Sequence, residues 1–355
     1  MKMRHPNHNY DKVAVVLGAN GQIGSYLCDY LLELGYSRVV GVVRRTSVPN
    51  RENLQISLTN KNFVVKMADV TDVGSLSRLF QEEITDRDLR YEVYSMVAQS
   101  QVAVSFKQPK LTQDITGTGH LNVLETLLYY HNNNYKIRNF TCASSEMFGS
   151  QKDISGYQSL DTKFWPNSPY AASKLYMFHL QRIYKESYGM LNTSGILFNT
   201  ESPRRGEEFV TRKITKWFAS YITHFSFQTK LQLGNIEAYR DWTHAKDTVR
   251  AIHLINTAAR PKDYLVASGE THSIKEFMEA CYNCVPQIIE FQIKDKLEDL
   301  YEINQEFIRP NDVPYLKGQA DIIRTELGWK PTVTFEELVR EMLISDYLKQ
   351  KQQVK

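Results

Sequence analysis

Short, nearly all-apolar runs alternate along this chain with longer stretches in which apolar residues recur every three or four positions. Lys12-Val13-Ala14-Val15-Val16-Leu17 opens the series. Val39–Val43, Phe63-Val64-Val65, Val93–Val97 and Ile137–Cys142 continue it. Runs of this kind, without a polar residue at every second place, suit strands buried on both faces of a parallel sheet. Between them Tyr26, Leu27, Leu31 and Leu32 keep helical spacing, and so do Leu121, Val123, Leu124, Leu127 and Leu128. Alternating strand and helix predict an α/β fold, a doubly wound parallel sheet whose ligands lie beyond the strands' carboxyl ends. After Ile196-Leu197-Phe198-Asn199 the pattern changes to arginine-bearing loops and an amphipathic closing helix (Phe335, Leu338, Val339, Met342, Leu343). Two interleaved domains are expected: a dinucleotide-binding one over 11–199 and 242–265, and a smaller α/β substrate-binding one over 200–241 and 266–350.

Composition narrows the class. Of 355 residues, 42 % are hydrophobic and 23 % charged, as in an ordinary soluble globular protein. A formal net charge of +3 is too small to argue for nucleic acid or a membrane surface. No apolar run approaches the ~20 residues of a membrane span. Met1–Tyr10 is polar, without the apolar centre of a secretory signal. Four cysteines make no disulfide framework, so a cytoplasmic location is expected. Cys281 and Cys284 form a C-x-x-C, yet Ile274, Phe277 and Met278 around them point to core packing, and no metal site is expected.

The candidate chemistry lies at strand ends. Gly18, Gly21 and Gly24 follow the first strand and open the first helix, the context in which backbone amides cradle a pyrophosphate at the helix's positive end. An NAD-binding fold of Rossmann type puts an acidic residue about 20 positions further on. Here that place holds Arg44-Arg45-Thr46-Ser47, which suits the 2′-phosphate of NADP(H). Asp69, at the end of the third strand, is placed to meet an adenine. Ser144-Ser145-Glu146 ends the fifth strand. Tyr170 and Lys174 stand four apart on a helix, so their side chains stack, and an ammonium beside a phenol is expected to lower the phenol's pKa from ~10 toward a usable base. Arginines in separate later loops (Arg204, Arg205, Arg240, Arg309) suggest a second, phosphate-bearing ligand.

These residues form longer blocks. They run from Gly18-x-x-Gly21-x-x-Gly24-Ser25-Tyr26-Leu27 through Val43-Arg44-Arg45, Ala98-Gln99-Ser100 and Ser168-Pro169-Tyr170-x-Ala172-x-Lys174. Glu201-Ser202-Pro203-Arg204-Arg205-Gly206, Phe209-Val210-Thr211-Arg212-Lys213, Arg240-Asp241-Trp242, His244-Ala245-Lys246-Asp247 and Arg309-Pro310 complete them. In these blocks the chain resembles the GDP-mannose 4,6-dehydratases of the extended short-chain dehydrogenase/reductase superfamily. The resemblance covers nearly everything after residue 11, and the E-S-P-R-R-G and F-V-T-R-K blocks are its most specific part. It implies that Tyr170, aided by Lys174 and a hydroxyl on Ser144, takes the sugar's 4-hydroxyl proton while a hydride leaves carbon 4 for NADP. Glu146 then removes the carbon-5 proton, water leaves carbon 6, and the hydride returns there. Cofactor contacts are implied at Gly18, Gly21, Gln22, Ile23, Gly24, Arg44, Arg45, Asp69, Val70, Ala98 and Ser100, besides Tyr170 and Lys174. Contacts to GDP-mannose or a close GDP-sugar are implied at Ser100, Asn199, Arg205, Val210, Lys213, Arg240, Arg309 and Asp312. A homodimer or homotetramer is implied as well. The chain departs from the family pattern at Ile23, Val97, Gln101, Ser144, Thr200 and 311–314.

Three other readings share parts of this set. A GDP-manno-heptose dehydratase fits the same motifs. An NADP-dependent nucleotide-sugar reductase or epimerase needs Tyr170 and Lys174 but no Glu146 for an elimination. An idle NADP(H)-binding regulator needs none of them. The arginine pair gives a direct test. Each charge-assisted hydrogen bond is worth roughly 1.5–3 kcal/mol, so replacing Arg44 or Arg45 by alanine is expected to weaken NADP⁺ binding by about 10- to 100-fold and leave NAD⁺ binding nearly unchanged. Equal losses for both in a binding titration contradict the assignment.

Overall fold

The computed structural model describes residues 12–224, 229–289 and 293–353; the polar opening Met1–Tyr10 and residue 11 of the expected first domain lie outside the described residues. The predicted strands appear as β1 (Lys12–Leu17), β2 (Arg38–Val43), β3 (Phe63–Met67), β4 (Arg90–Ser95), β5 (Lys136–Ser144) and β6 (Leu191–Leu197). Together with the edge strand Tyr264–Val266 they form one seven-stranded sheet. From that edge the order is Tyr264–Val266, β6, β5, β4, β1, β2, β3, with every pairing parallel. β4 starts three residues before the expected run and stops before Met96 and Val97, which join the loop beyond its carboxyl end.

The unbroken apolar runs follow from the layering. Val13, Val15 and Leu17 of β1 face a cluster with Leu76, Phe80, Val123 and Leu124. Ala14 and Val16 face the opposite cluster, with Leu27, Leu31, Val249 and Ile252. Both faces are therefore dry, and a polar residue has no outward place to go. The chain runs from β1 outward to β2 and β3, then crosses back to β4 on β1's other side, so the loops after β1 and β4 diverge and open a crevice.

The turn after β1 is shaped by glycine. Gly18 has φ +78°, a left-handed conformation that a side chain would strain. At Gly24 a Cβ would lie 2.3 Å from the Gly18 carbonyl oxygen, so the helix Gln22–Glu33 passes this close to the turn only because Gly24 has none.

A second apolar cluster lies apart from the sheet. Helices Val210–His224, Ile274–Ile288 and Phe335–Gln353 bury Ile214, Phe218, Phe277, Met278, Leu338, Val339 and Met342 against one another. Cys281 and Cys284 are free thiols inside this cluster, in the core role their helical spacing suggested. Asp247, on helix Ala245–Thr257, ties the segment before the last helix to the rest. It is fully buried and accepts from the backbone N–H of Thr332 and Val333 (2.9 and 3.0 Å), the Thr332 hydroxyl (2.6 Å) and Arg250 (2.9 Å).

Asp247→Ala removes the acceptor for all of these donors at once. The expected cost is about 2–3 kcal/mol, read as a lower urea midpoint at unchanged slope. An unchanged midpoint contradicts this account of the C-terminal attachment.

Candidate active site

Tyr170 and Lys174 are presented by helix Pro169–Tyr188. The helix starts sharply because the Ser168 hydroxyl accepts from the Ala171 N–H (3.1 Å) and Pro169 takes the first helical position. Lys174, 4 % exposed, lies one turn inside, and its Nζ donates to the Cys142 carbonyl of β5 at 2.6 Å. Burial pushes its pKa down to about 8. Tyr170, partly buried in the cavity wall, is pushed the other way, up to about 12. Burial is the main cause and the Glu146 charge adds to it, against the opposing pull of a Ser144 hydrogen bond and the Arg205 charge. This corrects the expectation that Lys174 alone lowers the phenol. The ammonium is committed to the Cys142 carbonyl and sits 5.9 Å from the Tyr170 ring centre, so desolvation dominates.

Ser144 is the last residue of β5 and opens the turn Ser145–Phe148, where its hydroxyl accepts from the Glu146 N–H at 3.3 Å. The turn places Glu146, 8 % exposed, on the same cavity of about 350 Å³ as Ser144, Tyr170 and Lys174. That volume suits a small-molecule site. The structure brings the expected substrate residues to this cavity too: Ser100, Asn199, Arg205, Val210, Lys213, Arg240, Arg309 and Asp312 all line it. Asn199 Oδ1 is buried without a hydrogen-bond partner. Lys213 lies 3.5 Å over the Phe307 ring, and burial lowers its pKa. Arg240 and Arg309 share Asp312, at 3.3 and 3.5 Å, and Arg309 reaches within 3.9 Å of Glu146. A carboxylate pair and two guanidiniums thus form one charged group on the cavity that Tyr170 and Lys174 also line.

Of the expected cofactor contacts, Ile23, Ala98 and Ser100 reach the same cavity besides Tyr170 and Lys174. The glycine turn, Arg44, Arg45, Asp69 and Val70 lie along the neighbouring carboxyl ends of β1, β2 and β3. Helix Gln22–Glu33 has no side-chain cap and no acidic residue in its first turn, so the residues present fit a pyrophosphate. Arg44 and Arg45 are exposed just past β2. Asp69 uses Oδ1 on the Thr71 amide and hydroxyl, at 2.9 and 2.7 Å. Gln22 is bound elsewhere: its amide donates to the Thr200 carbonyl (2.8 Å) and accepts from the Ser202 hydroxyl (3.1 Å), joining the glycine helix to the arginine loop. Val97 brings Cγ2 within 3.3 Å of where a Gly18 Cβ would stand.

Of the two arginines of E-S-P-R-R-G, the family resemblance placed only Arg205 at the substrate. Arg204 turns away, pairing with Asp29 (2.8 Å) and lying 4.2 Å over the Tyr26 ring, whereas Arg205 faces the cavity. Reasoning from sequence passed over Glu201, Thr211, Arg212 and Asp346. Glu201, Thr211 and Arg212 stood within the specific blocks but were given no role, and Asp346 stands 134 residues from its Arg212 partner.

With the geometry in hand, comparison with known proteins decides the family. The family described as GDP-mannose 4,6 dehydratase matches residues 15–342. The chain belongs to the GDP-mannose 4,6 dehydratase family. It is 42 % identical over 342 residues to GDP-mannose 4,6 dehydratase 1 of Arabidopsis thaliana, an alignment that covers 94 % of this chain and 90 % of that one. It is 35 % identical over 350 residues to the human GDP-mannose 4,6 dehydratase, over 94 % and 91 % of the two chains. In fold it is similar to a dTDP-glucose 4,6-dehydratase of Streptomyces venezuelae solved with NAD bound: TM-score 0.78 at 20 % identity, over 96 % and 98 % of the chains. The doubly wound sheet read from the sequence is therefore the fold of the extended dehydrogenase/reductase relatives.

The buried lysine gives a measurable signature of this family member's site. In protein labelled with ¹³C at the lysine ε-carbon, the resonance lost in Lys174→Met is expected to titrate near pH 8, not near 10.5. Titration of that resonance at the ordinary lysine value contradicts the buried geometry.

Proposed function

We propose that this protein is an NADP-dependent hydro-lyase that converts GDP-D-mannose to GDP-4-keto-6-deoxy-D-mannose. One observation carries the reading: a buried carboxylate, Glu146, shares a cavity with the Tyr170–Lys174 pair and with a cluster of arginines. A reductase or epimerase needs the pair but has no use for a second base beside it.

NADP would be held by the glycine turn, with its 2′-phosphate at Arg44 and Arg45, and would supply the hydride acceptor and donor for the sugar. The rest falls to the protein. Arg205, Lys213, Arg240 and Arg309 anchor the diphosphate end, with Asp312 toward the ribose and Asn199 nearby, and this leaves the hexose facing Tyr170. Ser144 holds the 4-oxygen by a hydrogen bond and steadies the Tyr170 phenol. The Tyr170–Lys174 pair takes the 4-hydroxyl proton as a unit. Once carbon 4 is a ketone, the carbon-5 proton becomes acidic, and Glu146 removes it as the carbon-6 hydroxyl departs as water.

The same reading assigns 11–199 and 242–265 to cofactor binding and 200–241 and 266–350 to the nucleotide sugar. Four free, buried cysteines support a reducing, cytoplasmic setting. Exposed Tyr129, Tyr176, Ile183 and Tyr188 on neighbouring helices support a homodimer or homotetramer.

Glu146→Gln tests the assignment. Loss of a general base costs typically about 10²–10⁴ in rate, so turnover of GDP-mannose is expected to collapse. A single-turnover mixture with NADP⁺ should still gain reduced-nicotinamide absorbance without releasing water. Tyr170→Phe should do neither. Near-parental release of dehydrated product from Glu146→Gln contradicts the proposal.

A further inference from the structure

We infer that Glu201 is a positioning residue that aims the Arg205 guanidinium at the diphosphate end of the substrate; the inference rests on reading the cavity as a GDP-sugar site. Glu201 ends the short strand Asn199–Glu201, which pairs with Trp242–His244, and is 2 % exposed. A carboxylate buried this deeply needs partners. The Thr211 hydroxyl donates to its Oε2 at 2.7 Å, and Arg205 Nε lies 3.3 Å from the same oxygen. The Arg205 N–H is not aligned onto the carboxylate as a hydrogen bond, so the contact is ionic. The Phe209 ring closes the other side, 3.5 Å from the guanidinium carbon. With one face on an aromatic ring and its Nε edge on Glu201, the guanidinium is left with its terminal amino groups for the cavity it lines. Among the described residues no acceptor takes either of them.

The backbone beneath Arg205 is fixed by a different ion pair. Arg212, 3 % exposed, donates from Nη1 to the Pro203 and Arg205 carbonyls at 2.6 and 2.7 Å. Its Nε and Nη2 pair with Asp346 of the closing helix Phe335–Gln353, at 3.0 and 2.7 Å. With the loop already held, what Glu201 adds is the direction of one side chain.

A pure charge argument predicts the opposite effect. A buried carboxylate beside the site repels a diphosphate, so neutralising it should tighten binding; an aiming role predicts weakening. The test measures GDP binding by calorimetry and GDP-mannose kinetics in Glu201→Gln, Arg205→Ala and the double variant. Glu201→Gln is expected to raise the GDP Kd and the KM by roughly 10-fold, with kcat within about threefold, because the contact persists from ground state to transition state. NADP⁺ affinity should not move. The double variant should bind GDP no more weakly than Arg205→Ala alone, since the carboxylate acts only through that arginine. Thr211→Val, which removes the donor to Glu201 and keeps its charge, should raise KM in the same direction by a smaller factor. Unchanged or tighter GDP binding in both Glu201→Gln and Thr211→Val, with Arg205→Ala weakened, overturns the inference and leaves the cavity's assignment standing. Losses that add in the double variant overturn it too. Normal GDP binding in Arg205→Ala removes the reading of the cavity itself, and this inference with it.

Discussion

The hydrogen bond from Lys174 to the Cys142 carbonyl is the contact on which the rest of the site depends. It buries an ammonium against the last turn of a central strand. That holds the first turns of helix Pro169–Tyr188 beside the carboxyl end of β5, where Tyr170 shares the cavity with Ser144 and Glu146. The same burial moves the two pKa values apart, the lysine's down to about 8 and the tyrosine's up to about 12.

A second constraint joins the two ligand sites into one body. Gln22 binds the Thr200 carbonyl and Ser202, and Arg204 binds Asp29 and Ser25, so the glycine helix and the arginine loop cannot move independently without breaking buried polar contacts. Asp241 works similarly further out. It is fully buried, and it gathers the backbone N–H groups of Ser268, Gly269 and Gly318 beside the Arg240 strand. Rigid attachment of this kind keeps a hydride donor and acceptor in register through several steps on one sugar.

Much of this was legible in the sequence, because the signals were local. Val13 to Leu17 report a two-sided burial, Gly18 to Gly24 a close turn before a helix, and Tyr170 with Lys174 one helical face. Those features depend on neighbours a few residues away. The misread parts depended on distant ones. The phenol's pKa is set by what buries Tyr170, not by the lysine four residues on. Arg204 and Arg205, told apart beforehand only by the family resemblance, are separated physically by Asp29 and Tyr26 at the first and by Glu201 and Phe209 at the second. Asp346, on an otherwise ordinary amphipathic helix, matters only because Arg212 reaches it across the fold.

The central claim is that one enzyme takes hydrogen from carbon 4, removes a proton from carbon 5 and delivers the same hydrogen to carbon 6. GDP-mannose carrying deuterium at carbon 4, incubated in ordinary water with a trace of unlabelled NADP⁺, tests it most directly by mass spectrometry and NMR of the product. The account predicts a product lighter by one water that retains the deuterium, now at carbon 6, with a solvent proton at carbon 5. A product of unchanged mass, or one dehydrated but with its label lost or still at carbon 4, contradicts it.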